Sequence, residues 1–310
     1  MRFSHFIWLF VLTGTFSCVK TIDLAPPAFV QEPVLSGLLH PDNLIRVQLS
    51  YSFPANAVNP SPTRIQNARV TMSEDGLLLT PLAELKPGLY GLNQKPKAGK
   101  VYSITATLSN GVKLTAQDRV PVRPTLTARL TGSNPDNSNS NPDIILKLSP
   151  FESASAIQWL SMYMRERTGR DQFFETTTQG IQSNSLLLDE FNSSLSGKNF
   201  KRAYWPYARI KPVPAETLEN LTITFNTGNS VARVDKPDEF YQLTIWTGSP
   251  AFDQYLRSTL VAYQNQVSGD GGISENPFAQ PSPIWSNITN GKGIFAGYST
   301  QVIVLKEGGK

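Results

Sequence analysis

The stretch VYSITATLSNGVKLTAQ, residues 101 to 117, decides the fold. Val101 to Leu108 and Val112 to Gln117 are two β patterns flanking Asn110-Gly111. Asn-Gly between two such runs is the strongest short-range hairpin signal, because both residues tolerate the left-handed backbone of a tight turn. Upstream, Ile45, Val47 and Leu49 alternate with Arg46, Gln48 and Ser50. Ala68, Val70 and Met72 alternate with Arg69, Thr71 and Ser73 before Glu74-Asp75-Gly76 turns the chain. Period-two alternation buries one face and wets the other. Pro33 to Leu39 precedes the Pro41-Asp42-Asn43 turn, and Pro87-Gly88-Leu89-Tyr90 leads into a further strand. About seven strands between residues 32 and 123 predict an immunoglobulin-like β-sandwich.

Pro121 to Pro124 (PVRP) exits this module, and residues 124–310 are expected to form a second, larger, sandwich-like β domain. Its strand patterns are Asp143 to Leu148, Ile157 to Met164, Phe173 to Thr178, Leu218 to Asn226, Glu239 to Thr247 and a final Gln301 to Leu305. Trp159 and Trp246 fall inside these patterns and are expected in the core. Ser249-Pro250 offers a cap followed by proline at the first helical position. Phe252, Leu256, Leu260, Tyr263 and Val267 follow at spacings of three and four, predicting one amphipathic helix near 250–267, packed on a sheet. The whole is all-β apart from this helix. Its 21 Gly and 23 Pro supply the turns such a chain needs.

The N-terminus reads as an export signal. Met1-Arg2 is the positive end, Phe6 to Leu12 (FIWLFVL) is apolar, and Thr13 to Ser17 is small and polar. The apolar run falls well short of the roughly 20 residues that cross a bilayer. Cys18 is the single cysteine, so no internal disulfide forms. Its place resembles a bacterial lipobox, with Ser17 as the small residue before it and Thr15 and Phe16 departing from the commonest pattern. The expectation is removal of residues 1–17, lipidation of Cys18 with palmitate-type acyl chains, and a tether over 18–31 stiffened by Pro26-Pro27. At ~0.8 kcal/mol per buried CH₂, three chains anchor stably. Removing Arg2 lowers the formal charge from +4 to +3. No dense basic run exists beyond Lys198 to Arg202, so nucleic acid is not an expected partner.

Catalytic chemistry is scarce. His5 leaves with the signal, and His40 stands beside Pro41 with no second His or Cys near it to share a metal. There is no G-x-S-x-G elbow, P-loop or G-x-G-x-x-G. The Asp136-rich loop from Ser133 to Pro142 lacks the glycine and glutamate of a calcium loop, with Asn141 and Lys147 at those positions. Asp189-Glu190, Asp238-Glu239 and Asp253 are the carboxylates open to a glycosidase reading, although adjacent acids on a strand face opposite ways. No metal and no cofactor are expected. Tyr204, Trp205 and Tyr207 form the aromatic candidate for binding, with plugging of a sandwich end as the alternative.

Several motifs occur in a set order: Val34-Leu35-Ser36-Gly37, Asn67-Ala68-Arg69-Val70, Pro87-Gly88-Leu89-Tyr90, Phe252 to Val267, Asn276-Pro277-Phe278, Pro281 to Asn287 and Gly291 to Tyr298. Together they resemble a family of outer-membrane lipoproteins from Bacteroidota, catalogued as a domain of unknown function. The genes of such families often lie beside TonB-dependent transporters. The resemblance therefore implies a non-catalytic, lipid-anchored outer-membrane protein with an accessory role in nutrient capture. A structural or adhesive surface protein is the alternative, and a carboxylate glycan hydrolase comes last. Val19-Lys20-Thr21 after the cysteine leaves the periplasmic and cell-surface faces both open. In the tail, Gly291, Gly293 and Gly297 predict a tight, bent chain, and Ser286-Asn287-Ile288 a local side-chain-to-backbone turn.

Overall fold

The computed structural model describes residues 29–54, 61–123, 126–131, 143–148, 157–167, 173–177, 181–182, 207–210, 221–225, 239–266 and 283–305. By its contacts the chain divides after Gln31, leaving Glu32–Lys310 as one compact unit. The first strands are β1 (Pro33–Leu39), β2 (Arg46–Tyr51), β3 (Arg69–Glu74), β4 (Leu77–Leu78), β5 (Ala83–Lys86), β6 (Leu89–Gly91), β7 (Val101–Thr107) and β8 (Lys113–Arg119). Next come β9 (Leu126–Thr131), β10 (Asp143–Leu148), β11 (Ile157–Arg167), β12 (Phe173–Thr177), β13 (Ile181–Gln182), β14 (Ala208–Ile210) and β15 (Leu221–Phe225). β16 (Glu239–Gly248), helix α1 (Pro250–Gln266) and β17 (Lys292–Leu305) complete the order.

The β7–β8 hairpin pairs Thr107 with Lys113 and Val101 with Arg119. Its loop is a three-residue one. Leu108 N–H donates to Val112 O, Gly111 N–H donates to Leu108 O, and Gly111 alone takes positive φ, +84°. Asn110 stays in the ordinary region and uses its side-chain oxygen to accept the Val112 N–H. Asp75-Gly76 does supply the two consecutive positive φ values, 48° and 83°, that a two-residue turn requires between β3 and β4.

Two sheets face each other here. One runs β1-β2-β6-β5 and the other β4-β3-β7-β8. This is the arrangement of an immunoglobulin-type sandwich, whose first, second, fifth and fourth strands share a sheet opposite the rest. The alternation read from the sequence holds. Tyr102, Ile104 and Ala106 of β7 and Val70 and Met72 of β3 are buried against Leu35, Val47 and Leu49 of the facing sheet. Tyr102 opens β7 and accepts the Lys97 N–H five residues upstream (2.7 Å) while donating to Glu74 Oε2 (2.7 Å). That is the bond of a tyrosine corner.

The first sheet does not end at β1. β17 lies parallel to β1, with Val34 opposite Lys292 and Leu39 opposite Gly297. On its far edge β17 pairs antiparallel with β16, and β16 with β11. The sheet thus reads β12-β11-β16-β17-β1-β2-β6-β5, with β14 also on β11, and draws strands from both sides of residue 123. A further four strands pair as β13-β15-β10-β9. The fold is all-β and sandwich-like with one helix among the described residues.

The tail holds the largest difference from the sequence reading. The segment Lys292–Leu305, expected as bent chain before a strand at 301, is strand along its whole length. Its glycines answer to crowding. A Cβ on Gly297 would stand 2.7 Å from Val120 Cα, and Gly293 (φ +112°) lies against the Leu35 main chain. Phe295 enters the sandwich core, while Ile294 and Ala296 face the other way onto Phe252 of α1. Asn287 reaches beyond any local turn: its amide donates to Phe295 O (2.7 Å) and accepts Phe295 N–H (2.9 Å). The Ser286 hydroxyl makes the local bond, to Ile288 N–H (3.3 Å).

Two glycine substitutions separate crowding from turn strain. Gly111→Ala meets open space and carries only the cost of positive φ, about 1 kcal/mol. Gly297→Ala must push β8 away from β17 and is expected to cost on the order of 3 kcal/mol or more. Equal urea midpoints for the two variants would contradict this account.

Candidate functional site

Helix α1 begins at a well-built cap. Ser249 Oγ accepts the Phe252 N–H (3.1 Å), and Asp253 N–H donates to Ser249 O (3.0 Å). The Ser249 hydroxyl in turn donates to Asp118 Oδ2, which also accepts the Gly297 N–H (2.7 Å). Asp118 is half-buried, and burial holds its carboxyl above the usual carboxylate range against these hydrogen bonds.

One turn into the helix, Asp253 is almost wholly buried. Arg209, on β14, grips it with two bonds: Nε to Oδ1 (2.7 Å) and Nη2 to Oδ2 (2.9 Å). Trp159 Nε1–H adds a bond to Oδ1 (2.9 Å). The strand register makes this possible, since Trp159 lies directly opposite Arg209. A bidentate arginine on a carboxylate is a strong, directional contact. Both Asp253 oxygens are therefore engaged, and this acid is a structural anchor of the helix start. The acids Asp189 and Glu190 lie outside the described residues, and Asp238 does too. Among the described residues no three His, Cys, Asp or Glu side chains are placed to hold a metal.

Of the aromatic candidates, Tyr204 and Trp205 lie outside the described residues, as does Cys18. Tyr207 is half-buried and packs on Trp246 with ring centroids 5.1 Å apart. It belongs to the cluster of Trp159, Trp246, Leu256 and Leu260 that seats α1 on the sheet. Trp159 is fully buried and Trp246 partly so, directly opposite it in register.

His40 is buried at the end of β1, against Tyr298. Its Nδ1 accepts the Asp42 N–H (3.2 Å), so the ring proton is on Nε2, facing Thr300 Oγ1 (2.9 Å). Burial lowers its pKa below 6.5; Asp42 opposes this, and Arg123 adds to it. The imidazole serves as a neutral bridge between β1 and β17.

Among the described residues, a groove that the sequence did not single out is open to a ligand. It has a volume of about 670 Å³ and lies between α1 and the segment 283–285. Val261, Pro283, Ile284 and Trp285 form its apolar lining, and Gln254, Arg257 and Ser258 its polar rim. Ser258 holds the two walls together: its hydroxyl donates to Tyr255 O (2.8 Å) and accepts the Trp285 N–H (2.9 Å). Ile284 is 52% exposed at its edge. The usable signal was the pairing of the helix's outer stripe, Gln254, Arg257 and Val261, with an aromatic Pro-rich tail. Only tertiary structure joins them.

Two outcomes test these assignments. Asp253→Asn, which leaves Arg209 buried beside a neutral amide, is expected to cost about 3–5 kcal/mol in urea unfolding. Arg209→Met combined with Asp253→Leu is expected to cost less than the two single changes summed. Because the unfolded chain protonates His40 first, stability is expected to fall as pH drops from about 7 through 6.5. His40→Gln is expected to flatten that slope between pH 7 and 5. The lowered carboxyls of Glu74 and Glu84 lose their contribution only below about 4.5 and do not enter this window. Asp118 acts with the opposite sign and cancels in the difference.

Comparison with curated proteins finds no match. Residues 21–303 match the family described as a domain of unknown function, DUF4249, which covers the sandwich, the helix and β17 almost to its end. The chain belongs to the DUF4249 family.

Proposed function

We propose that this protein is a non-catalytic, lipid-anchored lipoprotein of the outer membrane. In this reading it is an accessory binding component of a TonB-dependent uptake system, of the kind found in Bacteroidota. The observation that carries the proposal is the order of parts at the N-terminus. An export signal ends at the chain's single cysteine, Cys18, and a Pro-stiffened stretch follows it. The compact unit then begins at Glu32, after both. A folded body that starts past a lipidated cysteine has the layout of a tethered binding protein.

The groove between α1 and Trp285 supports binding over catalysis. It is mostly apolar, with polar groups at its rim, which suits recognition by burial and a few oriented hydrogen bonds. Asp253, one of the two described acids that entered the glycosidase reading, is bound on both oxygens by Arg209 and Trp159. The partners implied are the membrane, through the lipid, and a β-barrel transporter.

The test is a gentle-detergent pull-down of the tagged protein from native membranes, with Cys18→Ala as control. Stoichiometric recovery of a large β-barrel transporter is expected with the wild-type chain, and a soluble, transporter-free product with the variant. Recovery of the lipoprotein alone from wild-type membranes would remove the transporter from this reading and leave an adhesive or stand-alone binding protein.

A further inference from the structure

Helix α1 carries an acid and a base, and the fold treats them oppositely. Asp253 is buried and held by Arg209, whereas Arg257 is exposed. Arg257 and Ser258 follow Gln254 by three and four residues, and Val261 follows them at the same spacings. Residues so spaced are neighbours on one side of a helix. That side is one wall of the groove, and Pro283, Ile284 and Trp285 are the other.

Both walls are fixed from behind. Val261 packs on the cluster of Trp159 and Leu260, and Trp285 on that of Phe252, Ile294 and Ala296. Ser258 ties the walls together by accepting the Trp285 N–H. The groove is thus formed before any ligand arrives, which spares much of the ordering entropy that binding otherwise costs. Its volume, about 670 Å³, falls within the ~300–1,000 Å³ of small-molecule sites.

The lining sorts into a tail half and a head half. Val261, Pro283, Ile284 and Trp285 are apolar, and both Pro283 and Ile284 are exposed at the edge. At the rim, Ser258 has committed its one proton to Tyr255 O. The donors offered there are the Gln254 amide and the Arg257 guanidinium, and Arg257 is the charged group of the described lining. An arginine has five N–H donors and serves more than one acceptor at once. Its planar fork matches a carboxylate in geometry as well as in charge. Asp253 does not oppose an anion there, because Arg209 meets its charge on the buried side of the helix.

We infer that the groove between α1 and Pro283–Trp285 binds a small amphipathic carboxylate. Its apolar tail lies along Val261, Ile284 and Trp285, and its head meets Arg257 and Gln254. This inference rests on the reading of the chain as a binding protein and names the ligand class for the groove. It needs no transporter, so a failed pull-down removes the partner and a failed titration removes the ligand.

The experiment is isothermal titration of the full chain carrying Cys18→Ala, purified without detergent, with decanoate, decanol and acetate. Decanoate is expected to bind at a single site and to shift the tryptophan emission, a shift absent from Trp285→Phe. Decanol keeps the tail without the charge and is expected to bind about tenfold more weakly, the worth of one charge-assisted hydrogen bond. Acetate, a head without a tail, is expected not to bind. Arg257→Gln is expected to bring decanoate down to the level of decanol while leaving decanol unchanged. Ile284→Asp, at an exposed position, is expected to abolish binding of both with an unchanged urea midpoint. Should Arg257→Gln fail to fold, Ile284→Asp and the decanol comparison decide the matter. No decanoate binding, equal binding of decanoate and decanol, or decanoate binding undiminished in the folded variants would overturn the proposal.

Discussion

Everything in this structure leans on a strand buried on both faces. β17 sends Phe295 into the sandwich core and Ile294 and Ala296 under the helix, while its edges pair with β1 and β16. A strand so placed needs apolar residues at successive positions and room for its neighbours' main chains. The segment GKGIFAGY meets both demands. Gly297 lets β8 approach to a distance no Cβ permits, and Gly293 does the same for the Leu35 backbone. Asn287 fastens the chain before the strand by pairing its amide with both main-chain groups of Phe295. Val34 and Lys292, 258 positions apart, meet as partners. Such a contact adds a heavy loop-closure entropy and ties completion of the sandwich to the far end of the chain.

The polar groups beneath this framework are handled in different ways, each with a physical logic. Asp253 and Arg209 are both removed from water but are joined by two bonds, with Trp159 adding a third. Such a pair contributes little net stability against an apolar substitute, yet it strongly disfavours any packing that separates its members. It thereby fixes where the helix start meets β11 and β14. Asp118 joins β8 to the helix cap and β17 through Ser249 and Gly297. His40 stays neutral and bridges β1 to Thr300. Gln158, Thr247 and Ser299 lie in one buried row across β11, β16 and β17, with no hydrogen-bond partner among the described residues.

The division between legible and illegible features follows the range of the interactions. Strands β1, β10 and the helix lie where alternation and capping place them, because hydrophobic period, proline and serine act within a few residues. The hairpin at Asn110-Gly111 was equally readable, though its third loop residue was not. Loop length depends on how the two strands twist against the opposite sheet. Of the groove, the helical stripe was visible as sequence, but its partner wall at 283–285 was not. Tyr207 was readable as an aromatic in a dense cluster, and only packing shows its ring set against Trp246.

By itself the sequence determined the local elements: the period-two strands, the capped helix, the turns at Gly and Pro, and a lone cysteine behind an apolar leader. Those follow from backbone sterics and side-chain spacing, which neighbouring residues settle among themselves. Tertiary structure alone decided that the C-terminal strand completes the sheet of the N-terminal sandwich. It also decided that Asp253 meets Arg209 and that three buried polar side chains line up across β11, β16 and β17. Those outcomes depend on which distant segments share a face, and that is set by burial and register over the whole chain rather than by any local pattern.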